Sequence, residues 1–175
     1  MNQNRELKIG SADVSLRGLI LPMGLRIDTV LIQGSNLSCS YSPTNITAEE
    51  PGKLDVFVSA VDLNQFLNTM AGTGLKNISI EAKDGALHIR ATKTVLIDVK
   101  AYAVCTLRID SHRKLFVDLQ SVEIMGVGTK QLIQSQLDKI NPVVDTADFP
   151  IPALMDTVQI VDGGIKVLGR VHAPD

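Results

Sequence analysis

Tryptophan is absent from this 175-residue chain, and two Tyr and four Phe bring the aromatics to only 3%. The core is therefore aliphatic, and stacking platforms for single-stranded nucleic acid are hard to build. Positive charge is not clustered: 17 Lys and Arg stand against 19 Asp and Glu, for a formal net charge of -2. Phosphate backbones are bound by clustered cations, so nucleic acid is excluded as the main partner. No run approaches the roughly twenty apolar residues of a membrane-spanning helix. The opening Met1-Asn2-Gln3-Asn4-Arg5-Glu6 lacks the apolar core of a signal peptide. The expectation is a cytoplasmic chain, or one from which an export segment has been removed. Only two cysteines occur, Cys39 and Cys105, with no CxxC pair. A disulfide between them is one alternative; a buried small hydrophobe at Cys105 is the other. The length suits one domain, residues 1–175, with a sizeable core.

What is present is alternation, and residues 95–141 organise it. Val95, Ile97, Val99, Ala101, Ala103, Cys105, Leu107 and Ile109 share one parity, while Asp98, Lys100, Thr106, Arg108 and Asp110 share the other, with Leu96, Tyr102 and Val104 among them. Period-two alternation predicts a strand with one dry face, here spanning ~45–50 Å at about 3.3 Å per residue. Ser111-His112-Arg113-Lys114 turns the chain into a return strand through Leu115, Val117 and Leu119. The apolar parity then slips to Val122 and Ile124, which predicts a β-bulge near Gln120-Ser121. Gly126-Val127-Gly128 breaks the strand and Thr129 suits a helix N-cap. Leu132, Ile133, Leu137 and Ile140 form a helical stripe, and Asn141-Pro142 stops it, with Asn suited to a left-handed end. The pattern predicts a long curved hairpin whose dry face receives an amphipathic helix.

Around this unit the chain reads mostly as short strands. Leu7 to Leu16 predicts one or two strands broken near Gly10-Ser11; Leu25 to Ile32 predicts another, ending at Gly34-Ser35-Asn36. Residues 18–24 read either as a buried strand end and turn or as an exposed apolar loop that touches a bilayer. Residues 40–53 form the best loop, with a short strand at Asn45-Ile46-Thr47. Asn45-Ile46-Thr47 and Asn77-Ile78-Ser79 match the glycosylation tripeptide, a match common by chance. Leu54, Val56 and Val58 alternate, and Asp62 with Gln65 has capping-box spacing, with Val61 and Phe66 as a hydrophobic staple. That helix carries Leu63, Phe66, Leu67 and Met70 and ends at Gly72-Thr73-Gly74. Asp84-Gly85 marks a hairpin, Thr92-Lys93-Thr94 a turn, and Asp162-Gly163-Gly164 a last hairpin. Phe149-Pro150-Ile151-Pro152 is held extended. About eight to ten strands in tight succession, with two helices, predict an α+β fold. Its expected architecture is a long, strongly curved antiparallel sheet wrapped around two amphipathic helices.

No catalytic or metal-binding constellation stands out. His88, His112 and His172 have no second ligand at metal spacing. Gly126-Val127-Gly128-Thr129-Lys130 lacks the spacing of a phosphate loop and reads as a strand-to-helix turn. Asp98, Asp110, Asp118 and Glu123 fall mostly on wet strand faces. The chain is expected not to be an enzyme, and no cofactor or metal is implied. The informative feature is apolar: small Ala101, Ala103 and Cys105 at mid-strand either admit a closely packed helix or leave room for an acyl chain, each buried CH₂ of which is worth about 0.8 kcal/mol.

The ordered features from residue 7 to 171 resemble the bacterial LmeA-like phospholipid-binding family, related in proposed architecture to tubular lipid-binding domains. They include the 18–32 segment, the helix start at Val61 to Phe66, the hairpin at Asp84-Gly85-Ala86-Leu87 and the long strand. Leu115 to Gly126, the helix to Ile140-Asn141-Pro142, Phe149-Pro150 and the final hairpin with Asp162-Gly163 complete the set. The resemblance implies a curved sheet around helical segments, a hydrophobic groove, and phospholipid binding at a cell envelope, in proteins that typically carry a signal sequence or membrane anchor. It supplies no residue-level lipid motif. Periodicity proposes the lining: Phe66, Leu67 and Met70 on the first helix; Leu132, Ile133, Leu137 and Ile140 on the second; Val99, Ala101, Ala103 and Cys105 on the sheet. The expected ligand is a phospholipid or fatty acyl chain, held or transported, and peripheral membrane contact is compatible with this. The rival expectation is a structural or protein-interaction domain with a fully packed core. The sequence leaves the oligomeric state open.

Overall fold

A computed structural model of the chain describes residues 6–41, 44–69, 75–94, 98–125, 130–149 and 152–172. β1 (Glu6–Ile20) turns through residues 21–25 into β2 (Arg26–Tyr41); β3 (Thr44–Ala48), β4 (Gly52–Ser59) and α1 (Ala60–Thr69) follow. A meander comes next: β5 (Leu75–Lys83), β6 (Ala86–Thr94), β7 (Asp98–Asp110) and β8 (Lys114–Met125). Then come α2 (Lys130–Ile140), a two-residue β9 (Val144–Asp145), a single 3-10 turn (Thr146–Asp148), and the hairpin of β10 (Ala153–Val161) and β11 (Gly164–Val171).

The class is α+β, mostly antiparallel strand, with a strongly curled half-barrel sheet and two short helices. The strands divide between two hydrogen-bonded sheets. One runs β1-β2-β4-β11-β10 with β3 also on β2; the other runs β5-β6-β7-β8-β9. Asp84-Gly85 turns β5 into β6 with both residues at positive φ, as Asp-Gly in a two-residue hairpin requires. The bulge falls where the parity slip placed it. Val104 pairs with Ser121 and Cys105 with Leu119, so Gln120 is the extra residue. Its Nε2 donates to Thr106 Oγ1 at 2.8 Å.

Several local expectations change. β1 runs unbroken through Gly10-Ser11, and β2 continues past Asn36, which takes a left-handed conformation, φ 52°. Pairing with β1 along its whole length, together with β3, holds the far half of β2 extended. β1 and β2, at 15 and 16 residues, are longer than the 13-residue β7. Thr92-Lys93-Thr94 belongs to β6, not to a turn. Val95, Ile97, the 72–74 and 126–128 breaks, the Thr129 cap, Pro150 and Ile151 lie outside the described residues.

α1 begins two residues before the expected cap. Ser59, not Asp62, caps it: Ser59 Oγ accepts from the Asp62 N–H at 3.1 Å and donates to Asp62 Oδ2 at 2.9 Å. Ser59 is held there by its own N–H, which donates to Asp28 Oδ2 at 3.1 Å, and Ala60 N–H donates to Gly163 O. Val61 is 74% exposed, so it makes no staple with Phe66. At the end of α2, Asn141 is not left-handed. Its N–H continues the helix to Leu137 O, and its side chain bonds the backbone of Val117 on β8.

The two helices lie along the edges of the five-stranded sheet. Asn64 and Asn68 of α1 each bond both backbone groups of a residue on edge strand β5, Ile80 and Ile78. Four helical residues rise about 6 Å and two strand residues about 6.7 Å, so this i, i+4 pair can follow a strand edge. The dry face of β7 receives β10 of the other sheet, which crosses it closely. The main core accordingly joins Ala103 and Cys105 to Met155, Ile165 and Val167, with Leu137 from α2 and Leu63 and Leu67 from α1. Small side chains on β7 thus meet a strand where the sequence suggested a helix. A second core, around Leu21, Leu25, Ile27, Val30 and Val58, continues the first through Val56 and Leu63.

Candidate functional site

Register decides which apolar residues share a face. Directly opposed residues in antiparallel pairs point the same way. Across the six-stranded sheet one row reads Leu16, Val30, Val56, Val167, Val158; the next reads Val14, Ile32, Leu54, Gly169, Met155. At the β10–β11 end these rows are buried in the main core. At the β1 end they emerge: Leu16 is 38% and Val14 45% exposed. The opposite face of the same strands carries Lys53, Asp55, Lys166 and Arg170. The inner face is therefore apolar along these rows, buried at the β10–β11 end and more exposed at the β1 edge.

Near the β1–β2 turn, a cavity of about 200 Å³ is lined by Ile20, Gly24, Arg26, Asp62, Gln65, Phe66 and Thr69. Its charge is organised around Asp62, which is only 6% exposed. Arg26 Nη1 donates to Asp62 Oδ2 at 2.9 Å and to Asp28 Oδ1 at 3.0 Å. The hydrogen bond to Asp62 raises the Arg26 pKa above its ordinary value. Burial pushes Asp28 upward, but side-chain hydrogen bonding with Ser59, Arg26 and Asp62 outweighs it and leaves its carboxyl below the ordinary value. Gly18, at φ 67°, makes room for this guanidinium: a Cβ there would sit 3.2 Å from Nη2. One cation shared by two carboxylates is a closed ion cluster with a net negative charge. It anchors α1 to β2 and offers no free nucleophile or general base.

The residues proposed from periodicity separate. Ala103, Cys105 and Leu137 are buried together in the main core, with Leu67 and Ile140 packed against it. Phe66 lies on the second core and lines the small cavity. Val99 is buried, and Ala101 and Ile133 are half-buried, in neither core. Met70 and the side chain of Leu132 lie outside what the structure describes. Val14, Leu16, Ile32, Leu54 and Val56 were legible as strand positions. Their common face was not, because it depends on β2 pairing with β4 and β4 with β11. A second, more open hollow of about 410 Å³ lies between α2 and β8 and is largely polar, with Arg108, Asp118, Gln134, Asp138 and Asn141 among its lining.

Cys105, His88 and His112 are engaged within the fold. Cys105 is 1% exposed, and burial, helped by the charge of Asp118, pushes its thiol up to about 11. It is a free thiol, as is Cys39. His88 Nδ1 bonds the Tyr102 hydroxyl at 2.6 Å, and His112 Nδ1 bonds Met155 O at 3.1 Å. Among the described residues no three His, Cys, Asp or Glu side chains gather as metal ligands. No described helix is long and apolar enough to cross a membrane.

A family model described as LmeA-like phospholipid-binding matches residues 8–170, nearly the whole chain. No curated protein and no solved structure matches it.

Proposed function

The chain belongs to the LmeA-like phospholipid-binding family, and from that premise we propose that it holds phospholipid without catalysis, acyl chains lying along the inner face as in a trough. The observation that carries this reading is the exposure of Val14 and Leu16 on the inner face, where rows of aliphatic side chains run from the core to the sheet edge. Each CH₂ withdrawn from water there contributes about 0.8 kcal/mol. The 200 Å³ cavity is below the ~300–1,000 Å³ of a small-molecule pocket, so an open trough suits a two-chain lipid better. Phe66 stands at its turn end. Leu67, Ala103, Cys105, Leu137 and Ile140, packed in the main core, back its buried end, with Val99, Ala101 and Ile133 proposed alongside them. Leu19, Ile20 and Met23, exposed around the β1–β2 turn, are the residues we place against a bilayer when lipid is taken up.

Native mass spectrometry after incubation with mixed phospholipids tests this. Stoichiometric lipid is expected on the wild type and on Leu168→Glu, a position 36% exposed on the outer face. It is expected to be lost from Leu16→Glu, similarly exposed on the inner face. A second reading draws on Cys105, 1% exposed in the main core: a fully packed interaction domain. A wild type that carries no lipid under conditions that load another lipid binder favours it.

A further inference from the structure

The two sheet paths end at β1, β10, β5 and, but for the two-residue β9, β8, and the last three each make hydrogen bonds outside their own ladder; β3, off the path on β2, has only a five-residue edge of its own. Edge strand β5 bonds Asn64 and Asn68 of α1. β8 is paired at Lys114 and Leu115 by β9 and capped at Val117 by Asn141. β10 is interrupted by a bulge at Asp156 and gives its Met155 N–H to His112 O at 2.7 Å. Among the described residues nothing pairs with the outer edge of β1. This strand has 15 residues, no proline and no bulge against β2. An unsealed edge of that length is a template for another strand.

We infer that two copies of this chain associate through β1, antiparallel about a two-fold axis at Ser15. β1 is complementary to itself. An antiparallel pairing centred on Ser15 sets residue i against residue 30 minus i of the other copy. Asp13 then meets Arg17 twice, and Val14 meets Leu16 twice. Asp13 and Arg17 lie opposite Gln33 and Thr29, on the outer face; Val14 and Leu16 lie opposite Ile32 and Val30, on the inner face. Centring on Asp13 opposes two carboxylates. Centring on Val14 or Leu16 leaves both charges without an opposite partner. A shift by one residue sets the apolar face against the charged one. Lys8, the inner-face cation, falls beyond the paired span of residues 10–20. Two-fold closure also ends the exposed edge, as an isologous interface must. The apolar rows of one copy then run on into those of the other, so the open end of each trough becomes the middle of a longer one.

Light scattering on the eluting full-length protein reads the outcome through a dilution series. The wild type is expected to show a mass twice 18.9 kDa. Asp13→Lys or Arg17→Asp alone sets like charges opposite at two symmetric places and is expected to weaken the dimer about tenfold or more. The double swap, Asp13→Lys with Arg17→Asp, restores it, which a misfolded single variant would not allow. A chain that stays at monomer mass, or a dimer that either single swap leaves intact, overturns the pairing. These outer-face positions lie away from the trough, and dimer mass is read without lipid, so failure here is distinct from failure of lipid binding.

Discussion

Asn141 meets Val117 as a neighbouring strand would: its Oδ1 accepts from Val117 N–H and its Nδ2 donates to Val117 O, both at 2.9 Å. β9 has covered β8 only at Lys114 and Leu115, so the next backbone groups along that edge are left to a side chain. Asn64 and Asn68 do the same on β5 at the other edge. Asparagine suits this work because one planar amide carries a donor and an acceptor side by side. The fold thus ends its curved sheet with helices that present strand-like chemistry.

Removing one such amide leaves a part-buried N–H and C=O unpaired. Asn141→Ala and Asn64→Ala are each expected to lower the unfolding free energy by about 1–3 kcal/mol. Urea titration followed by circular dichroism measures this. Asn64→Leu is expected to be no better than Asn64→Ala, because area without an amide does not satisfy Ile80.

The start of α1 is tested by two neighbours. Ser59→Ala removes the cap and is expected to cost about 1–2 kcal/mol. Val61→Ala, at a side chain 74% exposed, is expected to stay within about 0.5 kcal/mol of wild type. The reverse order would return the cap to Asp62.

The interior of β7 is filled by its neighbours. Ala103→Phe adds a ring to a packed core opposite β10 and is expected to destabilise by about 1–3 kcal/mol in thermal or urea unfolding. Wild-type stability with a larger side chain there would instead show that room for a ligand exists beside Cys105.

Acid weakens the fold in a defined direction. Asp156 is held below the ordinary carboxyl value of 3.8 chiefly by its hydrogen bond from Arg170, and Asp28 by bonds that outweigh its burial. A carboxyl whose folded value is depressed contributes its stabilisation above the unfolded value and loses it as pH falls through the folded one. Melting temperature should therefore drop below pH 3.8, and Asp28→Asn and Asp156→Asn should each flatten that drop. Both carboxyls are partly exposed, so salt reduces the share of each.

The two thiols should differ in reactivity. At neutral pH a thiol-specific reagent is expected to modify at most one cysteine of the native chain, the half-buried Cys39. Cys105, pushed up to about 11 and 1% exposed, reacts only on unfolding. Rapid labelling of two thiols in the native protein would contradict the packed core.

Local signals were legible because they act over a few residues. Asp84-Gly85 and Asp162-Gly163 give their hairpins because both turns need positive φ, and a parity slip between Leu119 and Val122 marks Gln120 as a bulge. Alternation also assigns the dry face of β7. Part of the candidate site followed from it: Ala103, Cys105 and Leu137 do come together. What occupies that face did not follow. Alternation shows that a face is apolar, but a strand such as β10 and a helix such as α2 both satisfy it.

The sequence by itself determined an aliphatic, antiparallel α+β chain, its hairpins and its bulge, because turn chemistry and period-two burial are properties of neighbouring residues. Tertiary structure alone decided that Ser59 rather than Asp62 opens α1, since Asp28, 31 residues away, holds the Ser59 N–H. It alone set Leu16, Val30, Val56 and Val167 in one row that is buried at one end and exposed at the other. That row depends on register between strands far apart in the chain, and register is fixed only when whole faces find their partners.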